Sequence, residues 1–356
     1  MYQYVSKPIK HSHTDMTITI KKNNQHNTVV NWLFFCCALI FTMVIVGAIT
    51  RLTDSGLSIV EWRPLMGFLP PLNAEEWDRV YQLYQSSPEY QKKHFWMDLH
   101  DFKRIFFWEW FHRFLGRIIG LAFALPLLWF WMKKQIPQGY APKFIGLLIL
   151  GGLQGLMGWY MVKSGLSDDP YVSHYRLAAH LSLAFLIFTL LLWCALSLRA
   201  SYGKGHKTLY AHSWATLGTL IITIFWGAYV AGLDAGLIYN DSFPKMGGQW
   251  LPPDINQYRP FWTNFFETPS GVQFTHRWLA IITLLSVISL YIHALKQGIR
   301  HWSNHAIAFM VLIQFTLGLA TLFSNIHLPV AASHQTGALI LLALMIVNLR
   351  IYHSSS

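Results

Sequence analysis

The chain is poor in charge. Of its 356 residues, 12% are Asp, Glu, Lys or Arg and 53% are hydrophobic. A soluble globular domain carries about 25% charged residues, so a water-soluble fold is excluded and an integral membrane protein is indicated. Cysteine is nearly absent: Cys36, Cys37 and Cys194 are the three, and all fall inside apolar runs. A disulfide in an outer loop is thereby excluded, and the three read as small packing residues. Arginine is missing from the first 30 residues, which hold four lysines and no long apolar run. That excludes an Arg-rich transit peptide and a cleavable signal with its apolar core. Residues 1–30 read as a polar, disordered cytoplasmic tail, and the first apolar run as an uncleaved signal anchor.

Long apolar runs are what the chain has in abundance. Eight of them, near 31–50, 105–131, 143–162, 176–198, 211–232, 271–294, 303–324 and 329–350, are long enough to cross a hydrocarbon core of about 30 Å. Sixteen Trp and sixteen Tyr suit broad interfacial belts. The net charge of +11 does not indicate nucleic acid, because the cations flank the membrane runs. With the termini on one side, that side holds Lys133, Lys134, Lys143, Arg199, Lys207, Lys296, Arg300 and Arg350 as well as the tail lysines. The short loops opposite hold Lys163, Arg176, Lys245 and Arg259. The positive-inside rule then puts both termini in the cytoplasm. A bacterial plasma membrane is preferred to the mitochondrial inner membrane, since no transit peptide is seen. The bilayer is the one partner that composition names, and a homo-oligomer is compatible with it.

The sequence repeats itself. Gly47-Ala48, Asp54, Gly56 and Leu57 recur at constant offset as Gly227-Ala228, Asp234, Gly236 and Leu237. His112-Arg113 recurs as His276-Arg277, and Gln154 and Gly158 as Gln314 and Gly318. Ala178 and His180 recur as Ala332 and His334. Four spans per half is an even number, so the halves run in the same direction. The expected fold is an all-α integral membrane protein of eight transmembrane helices. They form two duplicated four-helix bundles, residues 31–201 and 202–356, related by a pseudo-twofold axis along the membrane normal. A long outer loop, 51–104, belongs to the first. Within it, residues 74–86 have helical spacing, with Trp77, Val80, Tyr81 and Tyr84 on one stripe. This helix is either a lid over the first-half pocket or a packed interfacial helix.

Four histidines, His112, His180, His276 and His334, each lie four to seven residues into a predicted span entering from the outer side. Ionisable groups inside a membrane are costly and mark function. Each half has one such histidine on its second and one on its fourth span, so a bundle core would clasp a planar porphyrin between two imidazoles. The four are expected as axial ligands of two heme irons. Other histidines, among them His94, His100, His174 and His327, read as interfacial polar residues.

The repeat is broken in one informative place. Glu109 precedes His112 by three residues on one helix face, but the corresponding position before His276 is the amide Gln273. A carboxylate beside a heme edge suits a reacting heme, as a proton acceptor or a stabiliser of positive charge. The alternative is a structural ion pair between Glu109 and Arg113. Gly116, four residues beyond His112, would let a porphyrin approach the helix. Arg113, Arg117 and Arg277 lie well inside spans and are candidates for binding heme propionates or for snorkelling to the outer surface. A di-heme electron-transfer cytochrome would explain the histidines but not Glu109. A transporter would place its polar groups near the midplane on broken helices, unlike these.

Thr50-Arg51-Leu52-Thr53-Asp54-Ser55-Gly56-Leu57-Ser58, then Trp62, Pro64, Gly67, Pro70 and Pro71, resemble the first outer loop of the heme A synthases of alphaproteobacteria and mitochondria. Pro88-Glu89-Tyr90 and Asp101-Phe102-Lys103, leading into Glu109-Trp110-Phe111-His112-Arg113, continue the likeness, with Asp101 where that family usually has Glu. Ala231-Gly232-Leu233-Asp234-Ala235-Gly236 and Phe243-Pro244-Lys245-Met246 resemble its second-half loop. The resemblance covers nearly all the chain beyond the tail. It implies oxidation of a ring methyl of heme O, through hydroxylated intermediates, to the formyl group of heme A for cytochrome oxidase. It further implies His112 and His180 as ligands of the substrate heme, Glu109 as the catalytic residue, and His276 and His334 as ligands of a permanent heme b. The heme O synthase and oxidase assembly factors are the partners it implies. Family members with cysteine pairs in outer loops differ from this chain, which has none.

Overall fold

The computed structural model describes residues 19–20, 24–62, 66–166, 171–201 and 205–353. Most of the tail assigned to residues 1–30, and Pro64 of the first-loop motif, lie outside the described residues. The helices are α1 (Asn24–Leu52), α2 (Ala74–Gln85), α3 (Leu99–Met132), α4 (Ala141–Gly165), α5 (His174–Arg199), α6 (Lys207–Gly232), α7 (Asn264–Glu267), α8 (Pro269–Lys296), α9 (Trp302–Phe323) and α10 (Leu328–Tyr352). Thr19–Ile20 pairs antiparallel with Ala200–Ser201. All of these helices except α2 and α7 are long and apolar enough to cross a membrane, eight in number among the described residues. They coincide with the eight runs expected from the sequence.

Polar caps and prolines set where helices start. Asp98 accepts from the backbone N–H of His100 and Asp101, so α3 starts well outside the apolar run. Thr268 caps α8 in the same way through the N–H of Gly271. Proline in the first turn opens α4, α8 and α10, where its missing N–H costs nothing. Asn73 caps α2, whose Tyr84 is fully buried.

The spans pack as two rings. In one, α1 contacts α3, α3 contacts α4, α4 contacts α5, and α5 returns to α1. In the other, α6, α8, α9 and α10 close in the same order. The rings meet where α1, α5, α6 and α10 pack on one another. At the end where α1 and α6 finish the junction is polar, where Arg51 donates to the Ala231 carbonyl at 2.6 Å and to Asp234 at 2.8 Å. The turns leaving α1 and α6 match closely, since Asp54 and Asp234 take left-handed φ of 49° and 50°. Short acidic and amide side chains tolerate that conformation better than most L residues.

Pro126 inside α3 cannot donate to the carbonyl four residues back, which is that of Ala122. In lipid such an orphan must be satisfied by protein. The indole of Trp32 donates to it at 2.8 Å. The Trp32 ring is wedged among Phe123, Phe130 and Phe144, with centroids 4.9, 5.4 and 5.5 Å away. A proline in one helix is thus matched by a tryptophan in its neighbour. Trp32→Phe should destabilise the protein in detergent by about 1–3 kcal/mol, and Pro126→Ala should recover most of that loss by restoring the backbone donor. Losses that simply add in the double variant would contradict the coupling.

Candidate heme-binding sites

His112 is on α3 and His180 on α5, which stand diagonally across the first ring. His276 on α8 and His334 on α10 are diagonal in the second. Each imidazole rests on a glycine of an adjacent helix. A Cβ added at Gly47 would lie 3.1 Å from Cε1 of His112, and one at Gly158 would lie 3.3 Å from Cε1 of His180. Added at Gly227 and Gly318, a Cβ would lie 3.1 and 3.0 Å from Cε1 of His276 and His334. The four glycines are repeat residues themselves, so helix and counter-helix are duplicated together. Glycine here permits an approach that a Cβ would crowd, so that the ring would have to give by a few tenths of an ångström. At Gly116, by contrast, an added Cβ would meet the Met43 methyl at 3.4 Å, an ordinary contact. The glycines that seat the rings come from facing helices.

Further contacts steer the rings. The amide of Gln154 donates to the His180 carbonyl at 3.1 Å and lies 3.3 Å from its Nε2. Gln314 donates to the His334 carbonyl at 2.9 Å and lies 3.1 Å from its Nδ1. His276 Nδ1 lies 3.1 Å from the Thr223 carbonyl. The buried Nδ1 atoms of His112 and His180 have no hydrogen-bond partner among the described residues. No group of three or more His, Cys, Asp or Glu that could hold a bare metal ion occurs among them either; His112 and His180 share the first ring of helices, and His276 and His334 the second. Paired, glycine-backed, partly buried imidazoles fit heme iron, whose remaining ligands come from the porphyrin.

The two halves latch the loops that follow α1 and α6 by one plan. Glu109, 3% exposed, accepts from the Ser58 hydroxyl at 2.7 Å, the Ile59 N–H at 2.8 Å and Arg113 at 2.6 Å. Arg113 also donates to the carbonyls of Ile59 and Glu61, and stacks 5.2 Å from the Trp62 ring. In the second half Gln273 donates to the Ile238 carbonyl at 2.7 Å and accepts from Arg277 at 3.2 Å. Arg277 donates to the carbonyls of Ser242, Lys245 and Tyr239. Residues 58–61 and 238–241 are equivalent under the repeat, so the same loop is held by a carboxylate in one half and an amide in the other. Arg117 donates to the Gly67 carbonyl at 3.0 Å. Arg113, Arg117 and Arg277 are therefore loop anchors in this structure. Arg113 and Arg117 also border an outer groove of ≈ 360 Å³.

Above Glu109 the first loop forms a cap. Tyr84 and Trp77 of α2 pack on Phe102 and Phe106 of α3, with centroids 5.0 Å apart in each stated pair, Tyr84–Phe102 and Trp77–Phe106. The apolar stripe of α2 expected from its spacing thus faces α3. His94 and His174, read from sequence as interfacial, are both buried. His94 lies in a π-helical turn, Tyr90–His94, that the local sequence does not signal.

Comparison with known proteins agrees with this geometry. A family model, COX15-CtaA, described as cytochrome oxidase assembly protein, matches residues 30–346. The chain belongs to that family. It is 46% identical over 330 residues to the heme A synthase of Rhodospirillum centenum, covering 91% of this chain and 88% of that protein. It is 44% identical over 347 residues to the heme A synthase of Nitrosospira multiformis, covering 95% and 96%. With that of Parvibaculum lavamentivorans it shares 43% over 321 residues, covering 90% and 93%.

Replacing Arg277 by Ala would leave three loop carbonyls without their charged donor. The expected cost is about 3 kcal/mol, read as a lower melting temperature and faster proteolysis within residues 238–260. Unchanged melting and cleavage would contradict the latch.

Proposed function

We propose that this chain works as a heme A synthase in which the first ring holds heme O for oxidation to heme A and the second ring holds a resident heme b. His112 and His180 would bind the substrate iron, and His276 and His334 the resident iron. A heme clasped by two imidazoles supplies a one-electron redox couple. The observation that carries the assignment of halves is the latch. Equivalent loops are held by Glu109 in one half and by Gln273 in the other, so holding such a loop does not by itself require a charge. The carboxylate in the first half is then retained for chemistry, beside the histidine three residues on.

In this reading Glu109 stabilises positive charge or takes a proton at the edge of the bound heme. Arg113 fixes its position, and the Ser58 and Ile59 donors aim it. The glycines at positions 47 and 158 set how deeply the two substrate-side imidazoles sit. The cap of α2 and the π-helical turn covers the Glu109 end of α3 and limits water there. Both termini would face the cytoplasm, as the cation bias supports, and the site would open near the outer leaflet of a bacterial inner membrane. Heme O synthase and oxidase assembly factors are the partners in keeping with such a role.

Glu109→Gln copies the amide of the second half and tests the reading. The variant is expected to fold, to keep its hemes and to lower heme A formation by about a hundredfold or more, measured by extraction and chromatography of the hemes. Undiminished heme A formation would reduce Glu109 to a loop anchor. Two equivalents of heme b, with heme O supplied and no product, would indicate an electron-transfer cytochrome instead.

A further inference from the structure

One cluster of ionisable groups lies outside the heme-facing positions and is not used above. Tyr84, Glu89 and His94 are all buried in the cap, at 0%, 3% and 6% exposure. The Tyr84 hydroxyl is 3.1 Å from Glu89 Oε2 and 2.7 Å from His94 Nδ1. A phenol has one proton, yet it sits between a carboxylate and a ring nitrogen. The chain is satisfied in two ways. Either the Glu89 carboxyl donates to Tyr84 and Tyr84 donates to His94, or protonated His94 Nδ1 donates to Tyr84 and Tyr84 donates to the Glu89 carboxylate. Passing from the first arrangement to the second moves one proton from Glu89 to His94 and leaves Tyr84 neutral throughout. A three-membered hydrogen-bonded chain with two such states is the arrangement a proton relay requires.

Its position points to the first-half site. Tyr84 stacks on Phe102, and Phe102, Phe106 and Glu109 follow one another at helical spacing along the stripe of α3 beneath the cap. At the other end, His94 adjoins Phe95 and Trp96, which are 67% and 62% exposed. We propose that Glu89, Tyr84 and His94 form a proton relay between the Glu109 end of the substrate site and the outer aqueous face. This rests on the reading of the first half as the oxidising site. With water as the oxygen source, oxidation of a methyl to a formyl group (CH3 + H2O → CHO + 4 H+ + 4 e−) releases protons there while the electrons leave to a one-electron acceptor outside the site. Each proton passes from the site to Glu89, through the Tyr84 hydroxyl to His94, and from the ring to outer water.

The surroundings tune Glu89 for this. Burial, most of all, raises its pKa to about 8; the charge of Glu109 on α3 and that of Asp54 after α1 add to the rise, while the Tyr84 hydrogen bond and Lys93 oppose it. Burial lowers the pKa of His94, with Lys93 acting in the same direction and Asp54 against it. Lys93 and Asp54 are themselves paired at 3.0 Å. A group that accepts protons in its ionised form gives a rate that rises with pH through its pKa.

The test is turnover of heme O against pH by the purified full-length protein, with infrared detection of the protonated carboxyl. Wild type should show a rising limb near pH 8 and a carboxyl band that titrates with it. Glu89→Gln should lose both, with turnover lowered about a hundredfold and heme content unchanged. Tyr84→Phe, which keeps the ring packing, should lower turnover and keep the infrared band. Asp54→Asn should move the limb to lower pH. A Glu89→Gln protein, or, should it fail to fold, a Tyr84→Phe protein, with the wild-type rate and profile would overturn the relay. A wild-type protein that binds heme yet makes no heme A would instead overturn the oxidising-site reading, and the relay with it.

Discussion

Everything in this molecule that bears on function depends on the close seating of an imidazole against a glycine. Four times over, a histidine of one span lies where a Cβ on the neighbouring helix would crowd its ring. The contact fixes how near the helices stand and how far each ring projects into the core of its ring of helices. It also holds a polar, partly buried ring inside a membrane span. Ionisable side chains at such positions are tolerated when they find a partner, and in the proposed reading two diagonal imidazoles in one core would supply the ligands for one iron. Duplication of the chain duplicated this contact on both sides, glycine and histidine together.

The latches above the histidines show how a duplicated scaffold becomes asymmetric at low cost. Arg113 and Arg277 each gather the carbonyls of a loop that would otherwise leave them unpaired at the membrane surface. Their companions four residues earlier differ by one atom type, carboxylate oxygen against amide nitrogen. Glu109 accepts from Ser58 and Ile59 N–H, whereas Gln273 donates to the Ile238 carbonyl. Each loop presents the complementary group, so both latches close. The consequence is one negative charge buried next to the first pair of histidines and none next to the second.

Much of this was legible in the sequence. The eight spans follow from length and hydropathy alone, and the histidines stand out because charge and polarity are so scarce around them. The repeat located both pairs and the Glu109–Gln273 difference. The seating glycines were visible as repeat residues, but their role was not. Gly116 attracted attention because it shares a helix face with His112, while the glycines that seat the rings lie on the preceding span, a pairing that only tertiary packing reveals. Interior arginines suggested ligands for carboxylates, yet the loops' own carbonyls claim the guanidinium groups. Loop structure was the least legible part. The Tyr84–Glu89–His94 cluster is assembled by a helix, a turn and their packing on α3, and no periodicity in the intervening residues announces it.

The central claim is that the two rings have different occupants. It is tested most directly by chromatographic identification of the hemes in His112→Ala and His276→Ala proteins purified from a host supplied with heme O. The account expects the His112 variant to retain heme b while losing heme O and its oxidised products, and the His276 variant to lose heme b. Loss of the same heme from both variants would contradict it.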